Sequence, residues 1–354
     1  MPFPPLESTA LTGHLLALPA EATAGDLALL AASRFPRAVW EVEPSAAPPR
    51  HTGGARAPRR TAPEPGVLRL SRHTALRGPF AIDGNTAVTL GLPMTAATGY
   101  VVDGIAERGN PPGPWGGDRL GLRRAFPQGL PVRDEARTVD WLIAAARRLA
   151  GAVRIAPHGD AGPTLLTPEP EAAVDLTVWS TTWLEPEAAL VIVRRTLPRA
   201  VPNLPRPWTG PPTGIGTTPA KGAEVLTSEQ RAAVHAAADE HDLAALADPA
   251  PLLAYGAYAD EGLDGVVALE VTGRTVLPPV VAAQEWAREG AVAYAVTWMP
   301  EYEEDLEAER ASVGHRVARA RAAGLVAAIA RDLHAQVGGL VTDMMEFAAD
   351  PTAR

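Results

Sequence analysis

A chain of 354 residues with 46% hydrophobic and 21% charged side chains can bury the core of one large domain or of two to three ordinary ones, which excludes a disordered protein. The absence of cysteine excludes disulfides, thiolate metal sites and cysteine nucleophiles. The net charge of -9 resides in residues 223–270, where ten acids face one base, Arg231; with no basic stripe, nucleic acid is not an expected partner.

Aromatic residues make up only 5%, so alanine, valine and leucine must fill most of the core. Lysine occurs once, at Lys221. The dominance of arginine is therefore a compositional bias and not evidence of phosphate contacts. The opening Met1-Pro-Phe-Pro-Pro-Leu-Glu lacks the basic and apolar runs of a signal peptide, and no apolar stretch reaches the roughly 18 residues of a membrane span. A soluble, cytoplasmic protein is expected, without a membrane partner.

In chain order, Leu11 to Leu18 predicts a strand, Gly25 to Arg34 a helix, and Ala38 to Glu43 a second strand. Phe35-Pro36 ends the helix, because proline disfavours the helical conformation of the residue before it. Residues 44–66 have breakers and no periodicity, and predict a flexible linker or loop that carries Arg50, Arg56, Arg59 and Arg60. Short strands are expected at Val67–Ser71, Thr86–Leu90 and Gly99–Asp103, and a Gly/Pro-rich loop over 108–133. Thr138 to Ala150 is a clear amphipathic helix, with Gly151 as its expected C-cap and Ala152–Ala156 as the next strand. Val174–Trp183 and Ala189–Thr196 read as a hairpin turning at Glu185-Pro186-Glu187, with a helical second arm as the other option.

Residues 201–222 are proline-rich and suggest a connection between an N-terminal α+β region (1–200) and a C-terminal α/β-type region (223–354). Thr227 and Gln230 form a capping-box pattern that opens a helix to about Leu246. Val266–Thr272 is an expected strand, Pro278 to Arg288 a short helix, and Ala291–Trp298 another strand. The acidic segment from Glu301 to Glu309 leads into a helix over Val317–Gln336, capped by Gly338-Gly339 and followed by Leu340–Asp343. Helix-then-strand units recur near 25–43, 138–156, 278–298 and 317–343. The expected fold is α+β, with mixed or antiparallel sheets covered by helices and arranged as two ferredoxin-like halves; an α/β open sheet is the alternative.

Four groups of residues are candidates for chemistry. His235, Asp239 and Asp242 fall at i, i+4 and i+7 and share a helix face that can hold a metal, although a solvated polar stripe is the simpler account of them. His158 and Asp160 lie just after a strand, where a base and its orienting carboxylate can sit, but Pro157-His-Gly-Asp is also an ordinary turn. Gly116, Gly117, Arg119, Arg123 and Arg124 belong to a Gly-rich loop able to cradle an anion, without matching a nucleotide-binding motif. The acidic run from Glu301 and the tryptophans 40, 179, 183 and 298 read as a solvated helix start and as packing, with a contact surface as the other reading. No motif couples a nucleophile, a base and an oxyanion donor. The function expected is a non-catalytic binding or assembly protein, without a cofactor, that acts with a protein partner or by self-association. The alternative is a hydrolase or metal-dependent enzyme built on His158 and Asp160 or on the His235 helix.

Overall fold

The computed structural model describes residues 3–7, 11–45, 63–113, 117–159, 161–205, 226–247, 252–302 and 304–352. The first sheet is built by β1 (Leu15–Leu18), β2 (Val39–Val42), β3 (Gly66–Arg69), β4 (Ala75–Ala81), β5 (Thr98–Asp103), β6 (Ala152–Ile155) and β7 (Thr164–Leu166). Its helices are α1 (Ala24–Arg34), α2 (Gly84–Leu90), α3 (Leu122–Ala125) and α4 (Arg133–Arg148). The second sheet is built by β8 (Leu176–Ser180), β9 (Val201–Asn203), β10 (Ala254–Asp260), β11 (Val266–Arg274), β12 (Ala291–Met299) and β13 (Leu340–Asp343). With it come α5 (Pro186–Thr196), α6 (Ser228–Ala247), α7 (Pro279–Ala282), α8 (Glu304–Glu307) and α9 (Val313–Val337).

The strand orders are β7-β6-β1-β5-β4-β3-β2 and β13-β8-β12-β11-β10-β9, and every pairing between these strands is antiparallel. The fold is α+β. The α/β alternative is overturned, because an open α/β sheet needs parallel neighbours. The chain passes from one sheet to the other between Leu166 and Leu176, upstream of the 201–222 connection.

The two halves repeat one arrangement, strand by strand and in the same register. β1-α1-β2 and β8-α5-β9 stand a constant 162 positions apart: Leu15 to Thr177, Ala24 to Pro186, Arg34 to Thr196, Val39 to Val201. Ala17 pairs with Ala152 as Trp179 pairs with Leu340, and Leu15 with Val101 as Thr177 with Ala295. At the far edge Val39 pairs with Arg69 as Val201 pairs with Tyr258. The cores repeat as well: Leu27, Leu30 and Ala31 are buried in α1, and Ala189, Ile192 and Val193 at the same steps in α5. The two long breaker-rich stretches, 44–66 and 201–222, interrupt the same turn of each half, between β2 and β3 and between β9 and β10. α6 lies within the second of these connections.

Two local readings change. Pro186–Thr196 is the helix α5 and not the arm of a hairpin. Its apolar residues follow a helical period, and Pro186 at the first turn is compatible with a helix start. Gly84–Leu90 is the helix α2 and not a strand, because Asp83 accepts the Thr86 N–H and caps it. The end of α4 also differs in detail. Ala150, with φ of 52°, takes the left-handed turn, while Gly151 passes close to the Ala17 carbonyl.

Each central strand is covered on both faces. Leu16 and Leu18 of β1 join the core under α1 and α4, while Leu15 and Ala17 pack on the other side against Ile82, Ala87 and Leu92. In the second sheet Leu176 and Val178 join the core under α5 and α9, and Trp179 packs with Val281, Ala287 and Ala293 on the opposite face. Trp298 is buried, and Trp40 and Trp183 are half-buried against the two main cores, so the four tryptophans pack within the fold. The halves are joined by the segment after β13. Phe347 is buried in the core of the first half, Arg34 donates to the Met345 carbonyl at 2.8 Å, and Arg148 donates to the Ala348 carbonyl at 3.3 Å.

Candidate anion site between the halves

α4 and α9 are the last helix of each half, and between them, closed by residues 166–173, lies a cavity of about 50 Å³. α4 ends with Arg147 and Arg148, which suits the negative end of its dipole. Arg147 stands one turn beyond Ile143, and both line the cavity. From α9 come His315 and Arg319, also one turn apart. Ser312 caps this helix by accepting the His315 N–H, and Asp305 in turn accepts the Ser312 N–H at 3.0 Å and its hydroxyl at 2.9 Å. These bonds hold the Asp305 carboxyl below its usual range. Arg119 enters from the loop before α3 and donates to the Ala172 carbonyl at 3.4 Å.

Three arginines and a histidine thus line one small cavity, together with the carboxylates of Glu169, Asp305 and Glu309. Arg147 is 5% exposed, Arg319 6% and His315 7%. Arg319 is paired with Glu169 at 2.6 Å, and Glu309 is paired with Arg124. Arg147 has no such partner: its Nη1 donates to Met345 Sδ at 3.0 Å, a weak acceptor, and its buried Nε has no hydrogen-bond partner among the described residues. His315 Nδ1 is likewise buried without a hydrogen bond, 3.9 Å from Asp305 Oδ2. Burial first, then the charges of Arg119 and Arg319, lower the Arg147 pKa, while the charges of Asp343 and Glu169 oppose them. Burial also lowers the His315 pKa; Asp305 opposes this and Arg319 and Arg119 add to it. A buried guanidinium without a carboxylate is costly, and an anion is the group that relieves it.

The sequence candidates meet this geometry unevenly. Of the Gly-rich loop only Arg119 faces the cavity. Asp118 fills the proposed cradle itself, accepting the Arg123 and Arg124 N–H groups at 2.8 and 3.0 Å. The Arg123 guanidinium donates to the Gly113 carbonyl, and Arg124 turns to Glu309 and the Leu165 carbonyl. Gly117 is exposed, and Gly116 lies outside the described residues. The acidic run contributes Asp305 and Glu309 to the cavity wall.

His158 is exposed at the rim of a second cavity, of about 170 Å³, and Asp160 lies outside the described residues. His158 and Ala161 exchange backbone hydrogen bonds at 3.2 and 3.1 Å, the geometry of a tight turn. The same cavity holds a distant histidine and carboxylate, His14 and Glu135, but they are spent on each other. His14 Nδ1 accepts the Ala156 N–H at 3.1 Å, which puts the ring proton on Nε2, and Nε2 donates to Glu135 at 3.0 Å. Glu135 also pairs with Arg108 and accepts the Glu107 N–H at 2.7 Å. Burial raises its pKa, but the bonds from His14, Arg108 and Glu107 outweigh that and hold it below the ordinary range. Arg108 lies 4.6 Å above the Phe126 ring. This network pins the start of β1 to α4 and occupies both His14 and Glu135.

His235 and Asp239 are exposed on α6 and Asp242 is half-exposed. Among the described residues no group of three metal-ligating side chains occurs. No helix among the described residues is long and apolar enough to cross a membrane.

Arg147, His315 and Arg319 were not singled out by sequence. Each sits in a helix whose other arginines are exposed, and nothing in the spacing separates an inward arginine from an outward one. The repeat did leave a legible trace, Phe35-Pro-Arg-Ala-Val39 against Leu197-Pro-Arg-Ala-Val201, at the end of α1 and of α5. The chain matches no protein-family model, no curated protein and no solved structure.

Proposed function

We propose that this is a binding protein for a small anionic ligand, taken up between its two halves by Arg119, Arg147, Arg319 and His315. The observation that carries this reading is the buried Arg147 guanidinium, which lines the small cavity without a carboxylate in ion-pair contact and with its Nε unbonded. Ligand sites concentrate where structural units meet, and arginine is the side chain that recognises carboxylate and oxyanion groups by paired hydrogen bonds. The chemistry offered is charge neutralisation. This supports binding rather than turnover, and a cysteine-free chain is consistent with binding in a reducing cytoplasm.

Thermal unfolding and titration calorimetry with sulfate, inorganic phosphate and acetate, each against chloride at equal ionic strength, test the reading. At a hundred times the dissociation constant a bound anion stabilises by about 2.7 kcal/mol, a rise of several degrees in Tm. Arg147→Met must remove that rise. Equal melting in all four salts overturns the proposal.

A further inference from the structure

A larger groove lies on the other side of the Arg147 side chain. Arg147 lines both spaces. The groove, of about 590 Å³, is floored by Ala144, Ala173, Ala320, Ala323 and Met345. That is within the range of pockets that hold small organic ligands. Its small apolar side chains leave room where larger ones would fill it. Its lining also includes Arg148, Glu171, Asp343 and Asp350: Arg148 lies 3.6 Å from Asp343, and Asp350 accepts the Thr352 N–H and hydroxyl.

We infer that the ligand is an organic acid with an apolar body, a medium-chain carboxylic acid, its carboxylate on Arg147 and its chain along the alanine groove. The inference rests on the anion reading and adds to it the chemical class of the ligand. Two features that have no shared reason otherwise are joined by it. The guanidinium has only a thioether acceptor and an unbonded Nε, and the same side chain lines a groove floored by small apolar residues. A free inorganic anion uses the first feature and leaves the second idle. A neutral hydrocarbon does the reverse.

The test is the series acetate, butyrate, hexanoate and octanoate, titrated calorimetrically into the full chain, with sulfate alongside. Each buried methylene contributes about 0.8 kcal/mol, close to fourfold in Kd. Octanoate is expected to bind at least tenfold more tightly than acetate. Ala320→Phe, at an exposed helix position on the groove, is expected to flatten the series and leave sulfate binding unchanged. Arg147→Met is expected to weaken every member.

Acetate and sulfate binding with no gain along the series overturns this inference and leaves the anion reading standing. A series that rises equally in Ala320→Phe, or is indifferent to Arg147→Met, also overturns it, because chain or carboxylate then lies elsewhere. No binding by any of the five probes removes both readings together.

Discussion

Gly151 and Gly339 hold the same position in the two halves, each between the last helix and the strand that follows it and each pressed against the carbonyl of the first strand. A Cβ on Gly151 would stand 2.5 Å from the Ala17 oxygen, and one on Gly339 1.9 Å from the Trp179 oxygen. Ala17 and Trp179 are themselves counterparts, 162 positions apart and paired to Ala152 and Leu340. Both contacts are with backbone, which cannot swing aside. Gly151→Ala and Gly339→Ala should each cost on the order of 1–3 kcal/mol, measured by denaturant unfolding. Gly339→Ala should cost more, since Gly339 also has a φ of 90°. Gly324, with open space around its Cβ position in α9, is the control: Gly324→Ala should stabilise by a few tenths of a kcal/mol or more.

On the proposed reading, Arg147 contributes to binding at the expense of stability. Its burial is the largest effect on its charge, Asp343 and Glu169 offset it only through space, and no carboxylate pairs with it directly, so an apolar side chain of similar length relieves the fold. Arg147→Met is expected to melt at the same or a higher temperature than the parent, by about 1 kcal/mol or more, while anion binding falls at least tenfold. Scanning calorimetry with and without sulfate reads both effects. A strongly destabilised variant would mean that the arginine is structural.

The His315 pKa is lowered from 6.5 by burial, so the unfolded chain takes up this proton more readily than the folded one. Stability from this group is present above the unfolded value of about 6.5 and declines as the pH falls below it, until the folded imidazole also protonates. A bound anion favours the imidazolium and reverses the trend. The Tm gain from sulfate, which does not titrate here, is therefore expected to be larger at pH 6 than at pH 8. His315→Gln should level the two. Carboxylates such as Glu135, held low in the fold, act at more acidic pH and do not confuse this window.

Glu135 gathers His14, Arg108 and the Glu107 N–H around one buried carboxylate. Replacing it with glutamine leaves the Arg108 cation buried without its counter-charge. Glu135→Gln should cost about 3–5 kcal/mol in urea unfolding, and Arg108→Met,Glu135→Gln together less than the sum of the two single changes.

Phe347 carries the C-terminal segment into the core of the first half, with 1% of its surface exposed. Phe347→Ala should cost about 3–5 kcal/mol. Because the residue ties two halves that each have their own core, the loss should also split a single melting transition into two, visible by calorimetry.

Much of the architecture is legible in the residues alone. Periodicity marks α1, α4 and α9, a capping signal marks the start of α6, and apolar runs mark β1, β6, β11, β12 and β13, because these patterns reflect local burial and local hydrogen bonds. Cysteine, or its absence, is decided by composition outright. Where local signals conflict, sequence misleads: the β-branched Val191, Ile192 and Val193 suggest a strand, and only packing of Ala189, Ile192 and Val193 on the second sheet makes α5 a helix. The repeat of the two halves left a short trace in residues 35–39 and 197–201, but its strand register joins segments far apart in the chain and is decided by the tertiary structure. The candidate site belongs wholly to tertiary structure. Arg119, Arg147, His315 and Arg319 come from three distant segments, and an arginine at the end of an amphipathic helix ordinarily faces water. It is the docking of α4 against α9 that buries Arg147, strips it of solvent and leaves it in need of an anion.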